Sequence, residues 1–79
     1  MGEYFATVQY QEGTQLDHTE LETLRGFASL LDGNPYETAT NQEAGFIAFT
    51  FSQEEDAARF SEASRDLEKI VEVRVGRLR

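Results

Sequence analysis

The stretch Gly45-Phe46-Ile47-Ala48-Phe49-Thr50-Phe51, running on into Ser52-Gln53-Glu54-Glu55-Asp56-Ala57-Ala58-Arg59-Phe60, carries the change of period that decides the fold. Its first half alternates. Ile47, Phe49 and Phe51 point one way and Phe46, Ala48 and Thr50 the other, which is the period of a β-strand. In its second half the period lengthens. Ala57, Phe60, Ala63, Ser64 and Leu67 recur at helical spacing and form a narrow stripe whose small side chains allow close approach to a sheet. Between the halves, Ser52 and Glu55 have the spacing of a reciprocal capping box. Glu54, Glu55 and Asp56 fill the first turn, where the helix dipole favours anions.

Working outward, the N-terminal side repeats the same grammar. From Glu3 to Tyr10, Tyr4, Ala6, Val8 and Tyr10 alternate with Phe5, Thr7 and Gln9, a strand whose first set is the expected core face. Gln11 to Thr14 is a loop. Asp17 then stands three residues before Glu20 as a second capping box, and Leu16 and Leu21 sit at staple spacing. Leu21, Leu24, Ala28 and Leu31 share one helical face, flanked by Phe27 and Leu30. Asp32-Gly33-Asn34-Pro35 ends the helix, with Gly33 suited to a left-handed cap and Pro35 unable to continue. Tyr36 to Asn41 is expected to be a strand on the strength of its threonines. Asn41 to Gly45 is turn-prone. Val71, Val73 and Val75, alternating with Glu72, Arg74 and Gly76, form the last strand.

The order strand, helix, strand, strand, helix, strand predicts an α+β domain of the ferredoxin-like βαββαβ type, single over residues 1–79. Right-handed crossovers would place both helices on one face of a four-stranded antiparallel sheet of order 4-1-3-2. The opposite face, with Phe5, Thr7, Phe46, Ala48 and Thr50, is left open.

Composition narrows the function. The chain has 79 residues, no cysteine and one histidine, which excludes disulfides and both cysteine-based and all-histidine metal sites. Its net charge is -8, unevenly spread. Residues 1–68 set 14 carboxylates against three arginines, whereas residues 69–79 carry Lys69, Arg74, Arg77 and Arg79 against Glu72 alone. Such an acidic body repels phosphate backbones and attracts basic protein grooves, although charge also serves solubility alone. Met1-Gly2-Glu3-Tyr4 lacks the basic region and apolar run of a signal peptide. No apolar stretch approaches the ~20 residues of a membrane span. A cytoplasmic location with no membrane contact is therefore expected.

No catalytic constellation emerges. His18 lies at a helix entry with no oriented nucleophile in reach, and Ser29, Ser52, Ser61 and Ser64 belong to no nucleophile motif. Consecutive carboxylates at Glu54, Glu55 and Asp56 diverge around a helix instead of converging on one ion. No glycine-rich phosphate loop is present. The expectation is a protein that is not an enzyme, with no cofactor and no metal.

Gly45, Phe46, Phe49 and Phe51 occupy the positions of the RNP1 stretch of RNA-recognition motifs, and the segment from Ser52 to Phe60 resembles that family's second helix. The resemblance implies the same sheet-and-helix fold. It also implies Phe5 in the RNP2 aromatic position beside Phe46. Ala44 stands where that family has a basic residue and Ala48 where it has its second stacking aromatic, so the resemblance speaks for fold and against RNA binding.

The remaining signal is acidic. Glu20 and Glu22 project from the first helix; Glu54, Glu55, Asp56, Glu62, Asp66 and Glu68 lie on or beside the second. With Arg59 and Arg65 interleaved they form either a solvated face laced by local ion pairs or a row of carboxylates standing in for phosphates. In size, charge and expected topology the chain resembles small acidic anti-CRISPR inhibitors of ferredoxin-like fold. That resemblance implies a phage or mobile-element origin. It also implies that these residues imitate DNA and block a basic nucleic-acid-binding protein such as a CRISPR effector subunit. The alternative is a self-associating regulatory or structural module that pairs through Phe5 and Phe46 on the open sheet face, as a homodimer. A third reading gathers Phe5, Phe46, Arg74, Arg77 and Arg79 as a nucleic-acid site.

Overall fold

A computed structural model of the chain describes residues 2–11 and 13–78. The elements follow in the order β1 (Tyr4–Tyr10), α1 (His18–Leu30), β2 (Asn34–Pro35), a single 3-10 turn (Glu37–Ala39), β3 (Phe46–Phe51), α2 (Glu54–Arg65) and β4 (Ile70–Arg77). All strand pairs are antiparallel and the sheet order is β2-β3-β1-β4, which from the opposite edge reads 4-1-3-2. This is the ferredoxin-like α+β arrangement.

Alternation places Ala6, Val8 and Tyr10 of β1, Ile47, Phe49 and Phe51 of β3, and Val73 of β4 on one face. Leu24 and Ala28 of α1, with Ala57 and Phe60 of α2, close over that face to make one core. Phe60 is its keystone. Its ring lies 5.1 Å from that of Phe49, edge to face, and 5.3 Å from that of Phe51. Aromatic pairs in such geometry contribute about 0.5–1.5 kcal/mol beyond the area they bury. Ser61 joins Ser64 in the buried stripe of α2, while Ala63 and Leu67 are only half-buried. Leu30 does not flank the core: it is 85% exposed.

Four local expectations are corrected. The segment Tyr36–Asn41 is not a strand: β2 is two residues long and the chain then turns through the 3-10 segment. The Thr40 hydroxyl donates to the Tyr36 carbonyl at 2.9 Å and accepts the Ala48 amide at 3.0 Å. A side chain thus replaces backbone pairing, and local hydrogen bonding overrides the β propensity of threonine. At the end of α1, Asp32 and not Gly33 takes the left-handed conformation, with φ +57°. Gly33 N–H reaches the Ala28 carbonyl at 2.7 Å and Asp32 N–H the Ser29 carbonyl at 3.2 Å, the paired bonds of a Schellman cap. Gly33 is there for space, since a Cβ would lie 2.6 Å from Cε1 of Phe51.

The Ser52–Glu55 capping box does not form. Gln53 is the N-cap of α2 and makes no side-chain cap bond. With the helix starting at Glu54, Glu55 falls one position short of the box and pairs with Arg59 instead. Finally, the valine alternation of β4 breaks at its start. Gln9 pairs with Glu72 but Tyr10 pairs with Ile70, so the register shifts and Ile70 takes the place opposite Tyr10. Val71 is bulged out and 64% exposed.

Candidate functional site

The buried residues Ala57, Phe60, Ser61 and Ser64 fix which side of α2 faces the sheet. At 100° per residue, Glu55, Glu62 and Asp66 come round to the opposite side. The rise of 1.5 Å per residue spaces Glu55 and Glu62 by about 10 Å, and Glu62 and Asp66 by about 6 Å. Asp66 extends the row because the C-cap keeps helical backbone angles, φ −76° and ψ −10°. Glu54 and Asp56 flank the row and Glu68 follows it. All six carboxylates are exposed except Asp56, which is half-buried.

One of the six is paired: Glu55 accepts from Arg59 at 2.6 Å. Arg65, the other cation of the helix, donates to the Val73 carbonyl at 3.3 Å and bridges no carboxylate among the described residues. Among the described residues Glu54, Asp56, Glu62, Asp66 and Glu68 have no ion-pair partner.

The acids of α1 do not join this row. Glu20 and Asp17 form the expected capping box, with the Asp17 amide donating to Glu20 at 2.9 Å and the Glu20 amide to Asp17 at 2.8 Å. Glu20 also accepts from Lys69 at 2.8 Å. That bond, first of all, raises the Lys69 pKa above its ordinary value. Glu22 is held by Arg25 at 3.3 Å. The structure therefore splits the eight acidic residues into six on and beside α2 and two already engaged on α1.

The open sheet face is arranged in rows: Phe46–Gln9–Glu72, Ala48–Thr7–Arg74 and Thr50–Phe5–Gly76. Phe5 and Phe46 are thus two rows apart, not side by side as in the RNP pairing. Phe5 lies over Gly76, where an added Cβ would meet its ring at 2.6 Å, an aromatic cover for a strand glycine. The set Phe5, Phe46, Arg74, Arg77 and Arg79 is not assembled. Arg74 is tied to Glu72 at 3.4 Å, Arg77 sits over the Tyr4 ring on the helix side, and Arg79 lies outside the described residues. Ala48 is buried, and Phe5 and Phe46, both half-buried, remain as the aromatic groups of that face.

His18 is exposed at the start of α1. Among the described residues no three His, Cys, Asp or Glu side chains converge on a metal position, and no helix is long and apolar enough to cross a membrane. A cavity of about 370 Å3 lies where Leu21 and Arg25 of α1 meet Pro35, Thr40, Ile47 and Phe49. Residue types alone did not signal it, because it arises where β2 is cut short. The exposed outer edge of β4 was likewise hidden, since the bulge at Val71 depends on pairing register. Comparison with family models, with curated proteins and with solved structures finds no match for the chain.

Proposed function

We propose that the chain is a non-enzymatic inhibitor that binds protein, its α2 carboxylates taking the place of nucleic-acid phosphates on a basic DNA-binding surface. The observation that carries this reading is the acidic set of α2, the row Glu55, Glu62 and Asp66 with Glu54 and Asp56 flanking it and Glu68 following, of which five carboxylates have no ion-pair partner among the described residues. Like charges on one helix repel at spacings of three and four residues, and they are unneeded for the core. Facing a basic channel, the same charges steer association and pair with guanidinium and ammonium groups. A DNA-binding subunit of a CRISPR effector, met in the host cytoplasm, has the required chemistry.

The test is competition. An immobilised chain should capture an effector at low salt, release it to double-stranded DNA, and lose it at high ionic strength. The variant Glu54→Gln/Glu62→Gln/Asp66→Asn should bind at least tenfold more weakly, while Glu22→Gln leaves binding unchanged. Capture indifferent to salt, to DNA and to the triple variant overturns the reading. Half-exposed Phe46 on a face that no helix covers supports a second reading, self-association through the open sheet face. Phe46→Asp should then abolish self-association and leave DNA-competed binding intact.

A further inference from the structure

The two edges of the sheet are finished differently. On the β2 side, every outward group of β3 between Phe46 and Thr50 has a partner. Asn41 bridges Phe46, the Thr40 hydroxyl takes the Ala48 amide, the Tyr36 amide takes the Ala48 carbonyl, and Asn34 pairs with Thr50. On the other side, β4 is eight residues long and among the described residues pairs with β1 alone. The Leu78 amide donates to the Glu3 carbonyl at 2.8 Å. Bonded and non-bonded pairs alternate in an antiparallel ladder, so Gly76, Arg74 and Glu72 turn their backbone groups to β1, and Val73, Val75 and Arg77 turn theirs outward. Natural edges of this length are normally shortened, covered, bulged, charged or interrupted by proline, because they template pairing with another chain; β4 has the bulge at Val71 and charges at Glu72, Arg74 and Arg77, but from Glu72 to Arg77 its ladder is regular. Here the edge also carries Val71 at 64% and Val75 at 40% exposure.

We infer that the outer edge of β4 pairs antiparallel with β4 of a second copy of this chain, about a two-fold axis at Val73. The charge pattern selects that register. With Val73 opposite Val73 of the second copy, Glu72 meets Arg74 and Arg74 meets Glu72, two opposite-charge cross-strand pairs on the open face. Val71 meets Val75 twice, which covers both exposed valines. Moving the axis to Arg74 sets arginine against arginine, and moving it to Glu72 sets glutamate against glutamate. Moving it to Val75 leaves the charges without partners.

The centred register also uses outward-facing backbone groups, so the Val73 pair closes two hydrogen bonds. Two contacts are redirected: the long 3.3 Å bond from the exposed Arg65 side chain to the Val73 carbonyl, and the 3.4 Å pair that Arg74 makes with Glu72 of its own chain. Lys69, which would approach Arg77 of the second copy, is held by Glu20. In an otherwise acidic chain this edge carries Glu72, Arg74 and Arg77, so the paired strands themselves bring no excess of negative charge together. The contact is isologous and closes at two copies. It forms one eight-stranded sheet with all four helices on the same face, and it brings the two α2 carboxylate rows to either side of the axis.

Sedimentation velocity from micromolar to millimolar chain tests this. The chain should dimerise with rising concentration. Glu72→Arg and Arg74→Glu should each weaken dimerisation at least tenfold, and the double variant Glu72→Arg/Arg74→Glu should restore it. Amide hydrogen exchange on the unaltered chain supplies a readout independent of variant folding, and the Val73 and Val75 amides should slow as concentration rises. A monomer throughout, a double variant no better than the singles, or edge amides that exchange alike at all concentrations overturns the inference. So does dissociation by Phe46→Asp with the charge variants silent, which places the contact on the open face.

Discussion

In α1 the acidic residues are built into the fold, whereas in α2 they are left over from it. Asp17 and Glu20 cap the first helix reciprocally, Glu20 reaches across to Lys69 ahead of β4, and Glu22 rests against Arg25. The second helix has Gln53 as an N-cap that makes no side-chain bond, and it is held to the sheet by Phe60, Ala57, Ser61 and Ser64, none of them charged. Its carboxylates contribute a favourable dipole interaction in the first turn and mutual repulsion thereafter. The contrast shows that charge count alone does not locate a docking surface. What distinguishes the two helices is that Glu20 and Glu22 of α1 both have partners within the chain, whereas of the six carboxylates on and beside α2 only Glu55 has an ion-pair partner among the described residues.

The comparison breaks most sharply in the core. Phe60→Ala should destabilise the fold by about 3–5 kcal/mol and Leu24→Ala by about 2–5 kcal/mol, measured by urea unfolding. Phe60 should be the larger of the two, because its ring contacts both Phe49 and Phe51. A larger effect at Leu24 would make α1 the principal anchor.

The helix starts should differ by less. Asp17→Ala should cost about 0.5–2 kcal/mol, since it removes a formed cap. Ser52→Ala should stay within about 0.5 kcal/mol, as befits a surface residue that caps nothing. A Ser52 effect equal to that of Asp17 would restore the symmetry between the helices that the structure denies.

The smallest effects lie at alkaline pH. The Lys69 pKa is raised above 10.5 chiefly by its hydrogen bond to Glu20, and burial raises the Tyr10 phenol above 10.0. Folding favours the protonated form of both, of Lys69 through the bond of its ammonium group to Glu20 and of Tyr10 because burial penalises the phenolate. Their contribution is therefore fully present below about pH 10 and is lost as pH climbs through the raised folded values. Stability measured by urea midpoint should be flat in this respect through neutral pH and fall above pH 10. Lys69→Met should remove the later part of that fall, and a wild-type midpoint indifferent to alkali would sink the assignment.

Most of the architecture was legible because it rests on periodicity. The alternation in Phe46–Phe51 and Tyr4–Tyr10, the helical stripe through Leu24 and Ala28, and the Asp17–Glu20 box all appear where the residues imply them. So does the strand order. Legibility failed where a single hydrogen bond or a one-residue shift outweighs propensity. Thr40 turned a threonine-rich segment away from the ladder. A start at Glu54 took Ser52 out of frame, and a bulge put Val71 into solvent. The candidate site followed the same division. The acidic residues of α2 could be named from sequence, but the engagement of Glu20 by Lys69, 49 positions away, could not.

By itself, then, the sequence determined the α+β class, the antiparallel sheet with two helices on one face, and the excess of negative charge ahead of residue 69. Each of these follows from patterns repeated over many residues, so no single contact can overturn them. Tertiary structure alone decided which carboxylates are free, which strand edge is open, and that Phe5 covers Gly76 instead of standing beside Phe46. Those features depend on partners brought together from distant parts of the chain, and pairing at a distance is set by register and packing, not by local residue preference.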